Sequence, residues 1–593
     1  MIKRYSLGFA LLAAVLVAYG SLAGADLLWD AKLQVIPMPF TWAEIKQIWT
    51  TNYWYSAIGD AADSSEYRPL GSMILRILAG LGNPQWTMHV IAIALHLLNV
   101  WFMHRAMLRL HVAPKAAVLA LFLFAVHPVN TEAIASVVGI CDLLVTTGLL
   151  SLVLLILRSV SWTWLSVLCF ALPLIKESGI SAAGLGLIAA AAFLVQRDTR
   201  RAKRVALSCL AGALAYLVLR HWLFPLQLSQ AINDRQIMLN PILNTTGIWR
   251  WLSPMAVVGT YGRALLAADN IRVIYGYGSV PLIQSWQTPL LWLPLVGLAV
   301  VGYVSWKRWC SGDKLFTALI LAMAVTYAPV SHYIASMGTN VGLRLIYPVT
   351  PFFACAVATI CARLPKHLFA MAGFLGVGLL LLRTTFWVVP QWRTEQSFLE
   401  AVKAQSKTNL FAAILSAEGA YNQSNWHLAH SYCDQALAIY PDFIPAIVLR
   451  AKLQAMLVGP QSAMDGLRQV MSRRSHPELQ QTMLLVSFLG DSTPAGQCFP
   501  EPWDPSYARQ SMQSMEHLIQ GGTHVSSKLG PETVAILITY LVAHEQTHLF
   551  PSHPWPVDPQ FQSILAPEWA YLDGLLNPGM LNRATHEGET HGN

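Results

Sequence analysis

Acids and bases recur where the long apolar runs of this chain begin or end, and these side chains could do chemistry. Asp26 and Asp30 follow the first apolar run, and Tyr67-Arg68-Pro69-Leu70 comes before the second. His127-Pro128-Val129-Asn130-Thr131-Glu132 closes the third, and Asp142 lies just inside the fourth. Lys176-Glu177-Ser178-Gly179 joins the fifth to the sixth, and Arg344 with Tyr347 precedes the tenth. An ionisable side chain at mid-bilayer costs about 2.5–3.5 kcal/mol even on the mildest scale, so charged groups kept at the edges of such runs are functional candidates. A carboxylate there can take the proton of a hydroxyl nucleophile. Guanidinium, ammonium and imidazole groups can meet charge developing on a phosphate, and arginine can hold two oxygens at once.

The elements that must position these groups are helices in a membrane. Of 593 residues, 55% are apolar and only 12% charged, about half the usual soluble share. Eleven candidate spans follow: Tyr5–Leu22, Trp86–Met103, Ala113–Val126, Ala135–Leu157, Trp162–Ile175, Gly179–Val195, Val205–Leu223, Pro289–Ser305, Phe316–Val330, Pro348–Ala362 and Leu368–Val388. The formal charge of +8 collects on alternate joints, at Lys3 and Arg4, Arg105, Arg109 and Lys115, Arg158, Arg197 to Arg204, Lys307 to Lys314, and Arg363 with Lys366, opposed only by Asp198 and Asp313. This is the positive-inside pattern, so the basic balance asks for no nucleic acid. An odd number of spans puts every candidate acid and base, and the C-terminus, on the far face: the periplasm, if the membrane is a bacterial inner membrane. The first run reads as a retained anchor rather than a cleaved signal. His89, His96 and Asn99, at helical spacing in the second span, read as hydrogen-bond partners between helices. The Trp and Tyr excess reads as an interfacial belt.

Near Pro390 the composition changes, dividing the chain into a membrane block, 1–389, and a soluble α-helical part, 390–593. The segment Ala429–Pro441 has the small-residue, Ala-Leu and terminal-Pro punctuation of a tetratricopeptide helix pair, and Ala463 recurs 34 residues after Ala429. Helices over Glu478–Leu489 and Glu532–Leu549 are expected to complete a stack, with an exposed loop at Asp491–Ser506 and a disordered tail after Asn582. His544-Glu545-Gln546-Thr547-His548, with Glu568 downstream, has zinc-protease spacing but reads as a surface helix before a proline-rich turn, so no metal ligands are assigned. Cys433 and Cys498 are the cysteines of this part, and their pairing stays open.

The order and wording of these blocks resemble the transmembrane and tetratricopeptide repeat-containing O-mannosyltransferases, glycosyltransferases of the GT-C fold, as a bacterial relative. The resembling stretches are Trp54 to Leu75 with its Tyr-Arg-Pro-Leu, Leu123–Leu144, Lys176 to Ile180, Asn240-Pro241 to Pro281-Leu282, Arg344-Leu345-Ile346-Tyr347, and Trp392 to Phe398. Two adjacent acids usual after the first helix are here Trp29-Asp30-Ala31, Gly139-Ile140-Cys141-Asp142 lacks its Arg, and Leu343 stands where a Glu usually precedes Arg344. The resemblance implies transfer of a sugar, mannose among the candidates, from a polyprenyl phosphate to a Ser or Thr hydroxyl of an exported protein, with inversion. No cofactor is expected beyond, at most, a divalent cation. On that basis Asp30 is the expected base, with Asp26 as the second catalytic acid. Arg68, His127, Lys176 and Arg344 are expected to bind the donor phosphate, and Tyr67, Glu132, Asp142, Glu177 and Tyr347 to hold sugar hydroxyls or orient the basic groups. The tetratricopeptide part is expected to grip the acceptor. Two other classes remain open: the same fold acting on a lipid or envelope glycan, and a non-enzymatic membrane scaffold with a docking domain.

Overall fold

The computed structural model describes residues 2–35, 41–55, 66–158, 161–224, 234–334 and 337–472, together with Leu479 and Thr482. Every regular element among them is helical, so the chain is an all-α, polytopic membrane protein. Several spans open on proline in the first turn, at Pro84, Pro114 and Pro289, where the missing N–H has no partner to lose. The two acids among the basic joints are helix caps: Asp198 accepts from the Arg201 N–H at 3.0 Å and Asp313 from the Phe316 N–H at 3.4 Å.

All eleven apolar segments are helical, but they are not equally long. Among the described residues, 8 helices are long and apolar enough to cross a membrane: Ser6–Gly24, Pro84–Arg109, Val137–Arg158, Glu177–Val195, Thr199–Leu223, Pro289–Cys310, Leu343–Cys361 and Lys366–Trp392. Pro114–Val126 and Pro128–Ala135 make a ninth if counted as one span bent by 44°. The break falls at His127-Pro128, where proline removes a helix donor and forces the residue before it into an extended conformation. Trp162–Ile175 and Lys314–Val330 are shorter, as is Pro69–Ala79. At about 1.5 Å per residue, the 14 residues of Trp162–Ile175 reach about 21 Å, less than the roughly 30 Å of a hydrocarbon core.

His89, His96 and Asn99 make hydrogen bonds between helices, as expected. His96 faces the Tyr347 hydroxyl at 2.6 Å and the Ala125 carbonyl at 3.1 Å; Asn99 donates to the Leu143 carbonyl at 3.1 Å and accepts from Thr147 at 2.8 Å; His89 Nε2 meets the Ala135 carbonyl at 3.2 Å. Close packing is needed at Gly71, where a Cβ would stand 2.4 Å from the Ile175 carbonyl oxygen. That contact sets the start of the Pro69–Ala79 helix against the end of Trp162–Ile175.

The chain forms two compact units, residues 1–423 with 434–443, and residues 424–433 with 444–593. Glu395–Lys403 and Leu410–Asn422, helices beyond Pro390, belong to the first. In the second, Ile444–Leu457 and Pro460–Met471 pack together across a turn at Gly459, whose φ of 134° suits glycine. Gln454 donates to Ser462 across this pair at 2.8 Å. Cys433 is buried. Cys498, the His544–His548 motif with Glu568, most of the helix expected over 478–489, the helix at 532–549, the loop at 491–506 and the tail after 582 lie outside the described residues.

Candidate active site

Where the sequence places acids and bases at the ends of apolar helices, the first unit closes a cavity of about 270 Å³. Its polar wall carries Asp30, Glu66, Arg68, Glu132 and Arg344, and its apolar wall includes Trp29, Tyr53, Tyr275, Trp392, Phe398 and Phe411. Asp30 opens the short Asp30–Gln34 helix, and the residue before it, Trp29, is held at a φ of 50°. A non-glycine residue with positive φ is strained, and such strain gathers at functional sites.

Arg344 stands between two carboxylates, 3.5 Å from Asp30 Oδ2 and 3.7 Å from Glu132 Oε1. Both distances exceed the 2.7–3.2 Å of a good N–H···O bond, so this guanidinium is guided rather than locked. Glu132 is fixed by its other oxygen, which accepts from the Leu343 N–H at 2.6 Å. Arg68 is tightly held by contrast. It donates to Glu177 at 2.8 Å, pairs with Glu66 at 3.1 Å, and lies 4.7 Å over the Tyr53 ring. Glu177 also accepts from the Tyr67 N–H at 2.8 Å, and Glu66 from the Trp54 indole at 2.8 Å.

Lys176 and Asp142 form a closed pair. Nζ donates to both carboxylate oxygens at 2.7 Å, and the two side chains are only 5% and 1% exposed. Neither lines the cavity.

Three carboxylates against two guanidiniums give the cavity wall one formal negative charge in excess. Burial lifts the Asp30 carboxyl above the ordinary Asp range; the Arg344 charge pulls it back without cancelling the rise, and Glu66 adds to it. Burial works against the Arg68 charge, but Glu177 and Glu66 more than compensate and hold it above its ordinary value. Among the described residues, no group of three or more His, Cys, Asp or Glu is placed to hold a metal ion.

Of the residues singled out by sequence, Asp30, Arg68, Glu132 and Arg344 meet at the cavity, and Glu177 supports Arg68 from behind. The others are engaged elsewhere. Asp26 accepts from Gln85 at 3.2 Å and from the Glu395 N–H at 2.9 Å. Tyr67 donates its hydroxyl to the Trp49 carbonyl at 3.0 Å and stacks on Phe224. His127 Nε2 donates to the Leu265 carbonyl at 3.0 Å while Nδ1 accepts from the Val129 N–H. Tyr347 sits with His96 and Asn99 inside the bundle. Sequence reasoning missed Glu66, although it adjoins Tyr67-Arg68, and it missed the aromatic wall; an acid flanking an Arg beside proline was the available signal.

No family model matches the chain, and it matches no solved structure. It is 24% identical over 413 residues to a protein O-mannosyl-transferase of Caenorhabditis elegans, covering 67% of this chain and 58% of that protein. It is 24% identical over 457 residues to the human protein O-mannosyl-transferase TMTC3, covering 68% and 48% respectively. It is 33% identical over 170 residues to the human protein O-mannosyl-transferase TMTC4, covering 24% and 23%. The chain spans about half the length of the curated relatives it matches. Its curated homologues are TMTC-family protein O-mannosyl-transferases, as the resemblance in its motifs leads one to expect.

Proposed function

We propose that this chain is a membrane glycosyltransferase of the GT-C type, which moves a sugar, mannose in the first instance, from a polyprenyl phosphate to Ser or Thr hydroxyls of exported proteins. The observation that carries the reading is the meeting of Asp30, Arg68, Glu132 and Arg344, drawn from helix ends more than 300 residues apart in sequence, around one small cavity. In the proposed step the acceptor oxygen attacks the anomeric carbon from the face opposite the phosphate. The C1–O bond to phosphate breaks with its electron pair staying on the phosphate, the acceptor proton passes to Asp30, and the anomeric configuration inverts.

Burial keeps Asp30 more basic than an exposed carboxylate, which suits it to take that proton. Arg344, loosely paired, is the donor-phosphate ligand this geometry favours, with Glu132 keeping it aimed. Arg68 supplies fixed positive charge beside it. Lys176 acts through Asp142 by fixing the helix ends that frame the site. Residues 1–389 form the membrane part of the transferase, embedded in the cell inner membrane; the part from 390 on adds Trp392, Phe398 and Phe411 to the cavity wall and, through its repeat-like helices, recruits the acceptor in the periplasm.

The test is direct. The purified protein is mixed with polyprenyl-phosphate mannose and, in parallel, with a panel of Ser/Thr peptides, membrane lipids and envelope glycans, and the products are weighed by mass spectrometry. A gain of one hexose that disappears in Asp30→Asn supports the proposal. Transfer only to lipid or glycan acceptors moves the chain to the second class, and no transfer at all favours the scaffold reading.

A further inference from the structure

The first two helices after the membrane block do more than lead into a docking domain. Phe398 of the Glu395–Lys403 helix and Phe411 of the Leu410–Asn422 helix line the cavity that holds Asp30. Phe411 meets Trp29 edge to face, with ring centroids 4.8 Å apart. Trp29 itself remains 41% exposed at this wall and is held at a φ of 50°, a conformation that costs a bulky residue energy and that burial does not require here. Packed on Phe411 along one edge, this large ring keeps the rest of its surface accessible directly before the candidate base.

We propose that Trp29 and Phe411 form the acceptor subsite of the transfer reaction, a wall that admits an extended peptide whose Ser or Thr is flanked by small residues. This rests on the function proposed above and names the acceptor class of the same site. Position assigns the wall to the acceptor. The group that takes the acceptor's proton is Asp30, which follows Trp29 directly in the chain, whereas both cations of the cavity, Arg68 and Arg344, lie on the polar wall and none on the aromatic one. Size sets the preference. At about 270 Å³ the cavity falls just below the roughly 300–1,000 Å³ of drug-sized ligand sites, so once a sugar is bound the remaining room suits small neighbours of the hydroxyl rather than aromatic ones. Because Phe411 belongs to a helix beyond Pro390, the subsite also ties acceptor choice to the part of the chain that follows the membrane block.

The experiment measures KM for peptide and for polyprenyl-phosphate mannose separately, with matched peptides carrying Ala or Trp beside the acceptor Thr. Wild-type protein should prefer the Ala-flanked peptide by tenfold or more. Trp29→Ala, which truncates an exposed ring, should raise the peptide KM about tenfold, shift the donor KM less than twofold and erode the flank preference. Phe411→Leu keeps a buried apolar side chain and should act in the same direction more weakly. A rise in donor KM equal to the rise in peptide KM assigns the wall to the donor and overturns the proposal; so does an unchanged peptide KM in both variants. Wild-type protein that glycosylates no peptide sinks the underlying function, and the subsite with it.

Discussion

The raised basicity of Asp30 gives that residue a pH signature separate from its position. A carboxylate that must accept a proton works only when ionised, so kcat/KM should fall as the pH drops through its folded-state value. That inflection should lie above the roughly 3.9 of an unperturbed Asp. Arg344 is what holds the value down, so in the residual activity of Arg344→Gln the inflection should move higher still; a profile unchanged by that substitution would separate the two groups. Asp30→Asn should cost about 10²–10⁴ in kcat/KM with peptide acceptor, the usual weight of general-base assistance. The same shift governs stability. Because the folded value is raised, the contribution of protonated Asp30 to stability is fully present below its unfolded value near 3.9 and is lost as pH rises through the folded value. At neutral pH its charge is a burden, so Asp30→Asn should leave the melting temperature at or above wild type while removing activity. Asp30, Arg68, Glu132 and Arg344 were legible in the sequence because charge beside an apolar run is rare and costly. The division of labour among the cations was not. Residue type cannot say that Lys176 is saturated by Asp142 while Arg344 is only loosely paired, since this depends on distances between segments far apart in the chain.

Pairing of helix ends is the corresponding question at the scale of elements, and the Asp142–Lys176 contact carries most of it. Asp142 opens the Ile140–Arg158 helix and Lys176 follows Trp162–Ile175, so a 2.7 Å pair locks the start of one helix to the end of its neighbour. Removing one partner of a buried ion pair strands the other charge, a loss of about 3–5 kcal/mol, whereas replacing both by apolar groups of similar size is often neutral. Asp142→Leu and Lys176→Met should therefore each lower thermal stability sharply, and the double variant should recover most of it. If Lys176 instead held the donor phosphate directly, the recovered protein would turn over only weakly, with a raised donor KM. Helix positions were readable from hydropathy, and every expected span is helical. Their exact reach was not readable, because the break at Pro128 and the shortness of Trp162–Ile175 depend on how each segment packs. The repeat signature announced helices after Pro390, but no local pattern could say that Phe398 and Phe411 fold back to line the cavity.

Across the whole molecule, the site contacts fix one end of the bundle against the other. Asp30 follows a span that begins beside Lys3 and Arg4, and Glu132 closes a bent span that begins beside Lys115. Arg344 opens a span followed by Arg363, and Asp142 opens a helix that ends in Arg158, about 24 Å away at 1.5 Å per residue. Since Asp30, Glu132 and Arg344 meet at one cavity and Asp142 pairs with Lys176, the basic residues at the other ends of those helices are set apart from the site. Trp162–Ile175 must then run back along its neighbour, from the Arg158 end to the Asp142 end, in spite of its 14 residues. By the positive-inside rule the basic ends are expected to face the cytoplasm, and we propose that the cavity opens to the exported side. A membrane-impermeant maleimide distinguishes the two faces. Cys310 is exposed at the basic end of the Pro289–Cys310 helix, whereas Ser285 precedes that helix at its opposite end. In intact cells carrying Cys498→Ser, Cys310 should resist the reagent until the membrane is permeabilised, and an added Ser285→Cys should react at once. Labelling of Cys310 from outside would turn the cavity toward the cytoplasm and leave it facing the wrong compartment for an exported acceptor.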